Sequence, residues 1–306
     1  MIGAAKMSFQ EVSAPLPPFR LTVNTTKPGS AADTFVLPTN SAGTYNYTID
    51  WGDSVVETYV TNTPKTHVYA APGTYTIQIT GTFPQIYFNF WGDCLKLIGL
   101  QLGDVGWKLM SSAFAGCENL VSLTGPVNTS AVTDMGNMFT NCTAFNQSVA
   151  GFNTAAVTKM SSMFANCTAF NQSVASLNTA SVSNMSYMFS GCTAFNQSVA
   201  SFNTAAATNM YGMFFGCTAF KQSLATFNMA GVSSVDLMCD GCDLNAPGTT
   251  ANYDATLIAW AAQSLVHGLA MYFGTSEYSA GAAATARGVI TGTYGWTITD
   301  GEHDAD

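Results

Sequence analysis

From residue 110 onward, apolar side chains return in columns with a period of 25. Cys117, Cys142, Cys167, Cys192, Cys217 and Cys242 mark the interval. Three residues before them stand Phe114, Phe139, Phe164, Phe189 and Phe214, with Cys239 in the last copy. Four before stand Met138, Met163, Met188, Met213 and Met238, and seven before stand Met110, Met135, Met160, Met185 and Met210. Three after come Leu120, Phe145, Phe170, Phe195 and Phe220. Within one copy, Met135, Met138, Phe139, Cys142 and Phe145 follow the spacing of one helical face. The next residues, NQSVAGFNT, bring Val149 and Phe152 inward as a short strand or extended turn. One copy offers too few inward side chains to offset the entropy of ordering its backbone, so the copies must stack. A period of this length predicts a solenoid whose coils are joined by strand hydrogen bonds.

The flanks follow other patterns. In FRLTVNTT, DTFVLPT, YNYTIDWGD, VVETYV and YTIQITG, apolar and polar residues alternate between Pro, Gly, Asn and Asp, which predicts an antiparallel sandwich over 19–84. The solenoid runs over 85–250. Its first part, 85–118, reads as an atypical capping coil, with Leu95, Leu97 and Leu100 at strand spacing and Trp107 covering the sandwich-facing end. A cap and tail occupy 251–306, where Tyr253, Leu257, Ile258, Trp260 and Ala261 give a helical apolar face and AAATARGVITG a second helix. Residues 1–18, with Pro15, Pro17 and Pro18 and no periodicity, are a linker or a docking arm.

The repeat resembles the BspA-like leucine-rich repeat family, also described as the Mycoplasma-type surface repeat. Its pattern V-T-x-M-x-x-M-F-x-x-C-x-x-F-N-Q-x-V-x-x-F-N-T stands nearly intact at 132–154, 157–179 and 182–204. The copy at 207–229 has Ala207 for Val and Lys221 for Asn, and the one at 232–245 is degraded. The resemblance implies an α/β leucine-rich-repeat-like solenoid of 25-residue coils with a C-terminal α/β cap. It also implies binding or adhesion on bacterial surfaces or in phage proteins. Asp50-Trp51-Gly52-Asp53, followed by His67-Val68-Tyr69 and Gly73-Thr74-Tyr75, resembles a PKD-type domain, with Ser54 where that pattern has Gly. This second resemblance implies an all-β immunoglobulin-like sandwich.

Composition narrows the function. Charged residues make up 9% of the 306 residues, so neutral Ser, Thr, Asn and Gln must keep the surface wet, as in many secreted or particle-bound proteins. A net charge of −9 repels phosphate backbones, which argues against nucleic acid. No apolar run is long enough for a membrane helix. The first residues, MIGAAKMSFQEVSAPLPPF, lack the apolar stretch of a secretory signal. Either a signal is removed, or the protein leaves its cell by lysis, as a virus particle does.

Catalytic, cofactor and metal sites are not expected. His67, His267 and His303 stand apart from any nucleophile or partner ligand, and no phosphate-binding or dinucleotide motif occurs. The cysteine column reads as small buried hydrophobes, and Cys239-x-x-Cys242 lacks a second ligand pair. Asp50 and Asp53 read as turn formers, with His67 packed beside a strand. The row Asn153, Asn178, Asn203 and Asn228 reads as a ladder bonding turns between coils. The remaining neutral face, Gln147, Gln172, Gln197 and Gln222 with Thr154, Thr179 and Thr204, is the candidate binding face.

The expected function is therefore non-enzymatic binding or adhesion. The favoured carrier is a virus or phage particle, with the protein as a tail fibre, tail tip or capsid-surface appendage that recognises a host surface glycan or protein. Such a protein would anchor to the virion or cell surface through residues 1–17 and gain avidity as a homo-oligomer. A bacterial cell-surface or secreted adhesin, and a capsid decoration protein without a receptor, are the alternatives.

Overall fold

The computed structural model describes residues 17–40 and 43–301. The docking arm expected over residues 1–17 lies outside the described residues except for Pro17, as does His303 in the tail. The architecture is mixed α/β, with more strand than helix.

Strand β1 (Phe19–Asn24) buries Phe19, Leu21 and Val23 and turns Arg20, Thr22 and Asn24 to the other face, as alternation requires. It forms the middle of a six-stranded sheet of order β4-β3-β6-β1-β7-β8, with β3 (Asn46–Asp50), β4 (Val56–Tyr59), β6 (Thr74–Thr82), β7 (Leu97–Gln101) and β8 (Ser122–Thr124). A separate antiparallel pair joins β2 (Thr34–Leu37) to β5 (Lys65–Val68). Strand β5 alternates in burial but gives no apolar signal in sequence, because its inward residues are Lys65 and His67. Between the two sheets lie Phe35, Tyr47, Ile49, Trp51, Ile77 and Phe83. Strand β7 pairs antiparallel with β1 and parallel with β8, so the sheet continues across residue 85 into the first coil.

A buried ion pair ties the same junction. Asp93 and Lys96 flank a single 3-10 turn and are both fully buried. Lys96 Nζ donates to the carbonyls of Ser30, Ala31 and Thr34 at 2.7–3.1 Å. Asp93 accepts from the Ser30 and Val36 N–H groups and from the Ser30 hydroxyl. Every charged atom has partners, which a buried charge demands.

Beyond residue 110 the copies stack in register. In the copy around Cys142, the N–H groups of Met135, Asn137, Phe139 and Asn141 donate to Lys159, Ser161, Met163 and Ala165 of the next copy at 2.8–3.0 Å. Those of Met138, Thr140 and Cys142 turn back to Met135, Asn137 and Phe139 of their own copy. Parallel bridges link Asp134, Lys159, Asn184, Asn209 and Ser234 in sequence. The segment is therefore a chain of turns and not the helical face that its spacing suggests.

Left-handed backbone is the physical reason for that difference. Ser112, Asn137, Ser162, Tyr187, Gly212 and Leu237 have positive φ, as do Gly116, Asn141, Asn166, Gly191, Gly216 and Gly241 four residues further on. Two left-handed residues four positions apart in each copy are incompatible with a continuous helix, while leaving every third or fourth side chain pointing inward. The NQSVAGFNT stretch is likewise a turn, which buries Val149 and Phe152.

Inside the stack, Phe114, Phe139, Phe164, Phe189 and Phe214 pile face to face at 5.6–5.8 Å. Phe145, Phe170, Phe195 and Phe220 form a second pile at 5.9–6.0 Å. Helices α1 (Ala251–Ala261) and α2 (Ala282–Gly292), with the parallel pair β9 (Ala270–Tyr272) and β10 (Thr297–Thr299), close the far end. Side chains of and after α1 bond the open backbone of the last coil. Trp260 donates to the Leu224 carbonyl, Thr256 accepts from the Leu224 N–H, and Gln263 bridges Phe227 and Met229.

Candidate functional site

The threonine row proposed as a binding surface is internal. Thr154, Thr179 and Thr204 are buried. Each hydroxyl donates to the carbonyl of Asn178, Asn203 or Asn228 in the next coil, at 3.0–3.1 Å. Thr154 and Thr204 also accept from the N–H groups of Asn178 and Asn228 at 2.7 Å. A threonine whose hydroxyl bridges two coils has nothing left to offer a ligand. The asparagine row also differs from expectation. Asn153, Asn178, Asn203 and Asn228 accept through Oδ1 from the N–H two residues on, closing their own turns, while the threonines join the coils.

The glutamine row is half-buried. Gln172, Gln197 and Gln222 donate through Nε2 to Asn146, Asn171 and Asn196 of the preceding coil. The same asparagine oxygens accept the N–H groups of Asn171, Asn196 and Lys221. Gln147 occupies the corresponding place in the first of these copies. These columns hold the stack together, and regularity is the mark of that task.

All eight cysteines are buried free thiols. Cys142, Cys167, Cys192, Cys217 and Cys242 donate through Sγ to the carbonyls of Phe114, Phe139, Phe164, Phe189 and Phe214 at 2.9–3.2 Å. Burial pushes the thiols of Cys142, Cys167, Cys192 and Cys217 well above their ordinary pKa, so they stay protonated and unreactive. Among the described residues, no group of three or more His, Cys, Asp or Glu side chains is placed to hold a metal ion. Nor is any described helix long and apolar enough to cross a membrane.

Asp50 and Asp53 each close a turn, and His67 meets Asp53. Asp50 Oδ1 accepts from the Gly52 N–H, and Asp53 Oδ1 from the Val55 N–H. Asp53 Oδ2 lies 2.8 Å from His67 Nε2, and the His67 ring stacks on Trp51 at 4.7 Å. Burial raises the Asp53 pKa, but the hydrogen bonds from His67 and the Val55 N–H outweigh it and leave the carboxyl below its ordinary value. Ser54 adopts the left-handed conformation that a glycine would take here.

What the columns leave free is more informative. Two places in the ladder segment of each coil vary from copy to copy. One is read at 136 and 137, the other at 140 and 141. Small residues fill them in the early copies, as with Gly136, Asn137 and Thr140, then Ser161, Ser162 and Ala165. Later copies carry Tyr187, Tyr211 and Phe215 instead. Tyr187 and Phe215 are each 39% exposed. The Tyr187 and Tyr211 rings meet edge to face at 5.2 Å, and the hydrogen bond that the Tyr211 hydroxyl donates to Tyr187 lifts the Tyr211 phenol above its ordinary pKa. Gly212 makes this possible, because a Cβ there would come within 2.7 Å of the Tyr187 ring. Tyr187 sits in left-handed backbone, which bulky residues rarely adopt. The signal was present in the sequence as a departure from the columns, but attention to regular rows passes over it.

Comparison with known proteins agrees with this picture of the repeats. Residues 108–227 and 149–253 match the family described as "Mycoplasma protein of unknown function, DUF285". No curated protein matches the chain. A solved leucine-rich repeat protein from Bacteroides ovatus is similar at 13% identity, over 87% of this chain and 79% of that one, with a TM-score of 0.23.

Proposed function

We propose that this protein is a non-enzymatic surface-binding protein, borne on a virus particle as part of a tail fibre, tail tip or capsid surface, that recognises a host surface glycan or protein. The coil stack is read as a leucine-rich-repeat-like solenoid, and strands β1–β6 as a PKD-type sandwich that spaces it from its anchor. One observation carries the reading. Tyr187 and Phe215, each 39% exposed, and half-buried Tyr211 place aromatic surface where the early copies carry small residues. Exposed aromatics on a rigid stack suit recognition, since they offer large contact area with little entropy to lose. The neutral polar remainder of the surface fits a particle-bound setting.

A bacterial cell-surface adhesin is the second reading, favoured by the match to a family described from Mycoplasma. Purified protein, multimerised to raise avidity, is expected to bind intact bacterial cells or their surface polysaccharide, and gold labelling to place it on virions. Label on the producing cell's envelope would favour the adhesin. Firm incorporation into particles without any cell binding would overturn the recognition reading and leave a decoration protein.

A further inference from the structure

Among the described residues, the most exposed aromatic side chains are Trp91 and Phe90. Trp91 is 74% exposed and Phe90 51%, whereas Trp51, Trp107, Trp260 and Trp296 are buried. Beside Trp91 opens a cleft of about 370 Å³ between the β2–β5 pair and this segment, walled by Val36, Pro38, Pro64, Tyr87, Asn89 and Trp91.

The segment is built to hold that shape. Asn89, Phe90 and Gly92 all have left-handed backbone, with φ of 44°, 65° and 61°. Two adjacent left-handed residues that are not glycine persist only where the surroundings impose them. Those surroundings are visible. The N–H groups of Asn89 and Phe90 donate to the carbonyls of Ser112 and Ala115 in the first coil, and that of Trp91 to Phe88. Two residues on, the buried carboxylate of Asp93 holds the Val36 N–H at 2.7 Å, which fixes the opposite wall to the same anchor. Trp91 is thus exposed from a fixed platform and not from a slack loop.

We infer that this cleft is a saccharide-binding site, with Trp91 and Tyr87 stacking on the ring faces of a neutral oligosaccharide and Asn89 bonding its hydroxyl edge. The assignment deepens the surface-binding reading and rests on it. None of the lining residues carries a formal charge, although the chain as a whole is acidic at −9, so the cleft matches a neutral ligand. A sugar ring offers what the walls can satisfy: flat C–H faces for the aromatic planes and hydroxyls for an amide. A proline-rich peptide would also lie on aromatic faces, and the experiment separates the two.

Because the other four tryptophans are buried, acrylamide quenching of the full chain's fluorescence reads Trp91. The probes are hexasaccharides of glucose, mannose and N-acetylglucosamine, with a hyaluronan hexasaccharide and a decaproline peptide as contrasts. At least one neutral hexasaccharide is expected to reduce quenching several-fold. In calorimetry, Trp91→Ala is expected to weaken that binding more than tenfold and Trp91→Phe to retain most of it, both with the melting temperature of the parent. No protection by any neutral hexasaccharide overturns the assignment. So do protection by decaproline or hyaluronan alone, and undiminished binding by Trp91→Ala. Cell binding is scored in parallel. Wild-type protein that binds cells without protection by saccharide leaves the surface-binding reading standing and the cleft assignment fallen. Protection by saccharide without cell binding does the reverse.

Discussion

At the scale of the residue, the cysteine column shows how far spacing alone reaches. Its burial is legible from the interval, because six identical residues 25 apart in a stack must share one environment. The hydrogen bond from each thiol to a phenylalanine carbonyl is not legible, since nothing in the spacing tells where a carbonyl points. Removing that donor takes one of two hydrogen bonds from a buried carbonyl, since Phe164 keeps the Cys167 N–H. Cys192→Ala is expected to lower the unfolding free energy by about 0.5–1.5 kcal/mol, measured by urea titration. The threonine row differs from expectation for a related reason. Polarity suggests an outward side chain, and only the next coil's backbone reveals Thr179 as a buried bridge. Asp53 makes a different expectation testable. Its folded pKa is depressed below the ordinary 3.8, so its stabilisation is complete above that value and is lost as the pH falls through the lower, folded value. Melting temperatures taken between pH 7 and 2.5 should fall less steeply in acid for Asp53→Asn than for the parent, and parallel acid limbs would refute this.

Elements carry the next level of information. Strands β1, β3 and β6 declare themselves by alternation, and α1 by its buried Tyr253, Leu257 and Trp260. Ile258, which the helical face placed inward, is 45% exposed, since the helix turns that position away from the last coil. The helical face in the repeats misled for a deeper reason. Turns with two left-handed residues four positions apart send side chains inward at the same intervals as a helix. The Asn, Ser and Gly at those positions were the available clue. The junction between sandwich and coils depends on a pair that pattern could not show, because buried charges look in sequence like surface ones. Lys96→Met leaves the Asp93 carboxylate buried without its cation. A loss of about 3–5 kcal/mol is expected in guanidinium unfolding. An effect below about 1 kcal/mol would mean that the backbone donors suffice.

For the whole molecule, the period implies that coils are interchangeable units. Each passes its hydrogen bonds and aromatic pile to the next, so removing one complete unit rejoins equivalent ends. Deleting residues 157–181 should leave a folded protein with a circular dichroism spectrum close to the parent's and a melting temperature lower by a few degrees. Deleting half a unit, 157–168, should abolish cooperative unfolding. This scale was the most legible of the three, and the proposed binding face the least, because its aromatics stand where the repeat is broken. Those breaks can be undone using residues from the protein's own columns. Asn137 supplies the model for Tyr187→Asn, Ser186 for Tyr211→Ser, and Ser190 for Phe215→Ser. Affinity of the triple variant for bacterial cells or their purified surface polysaccharide is the decisive quantity, read beside its melting temperature. At least a tenfold loss of affinity with unchanged thermal stability is expected, whereas parental affinity in a folded triple variant would contradict recognition by this face.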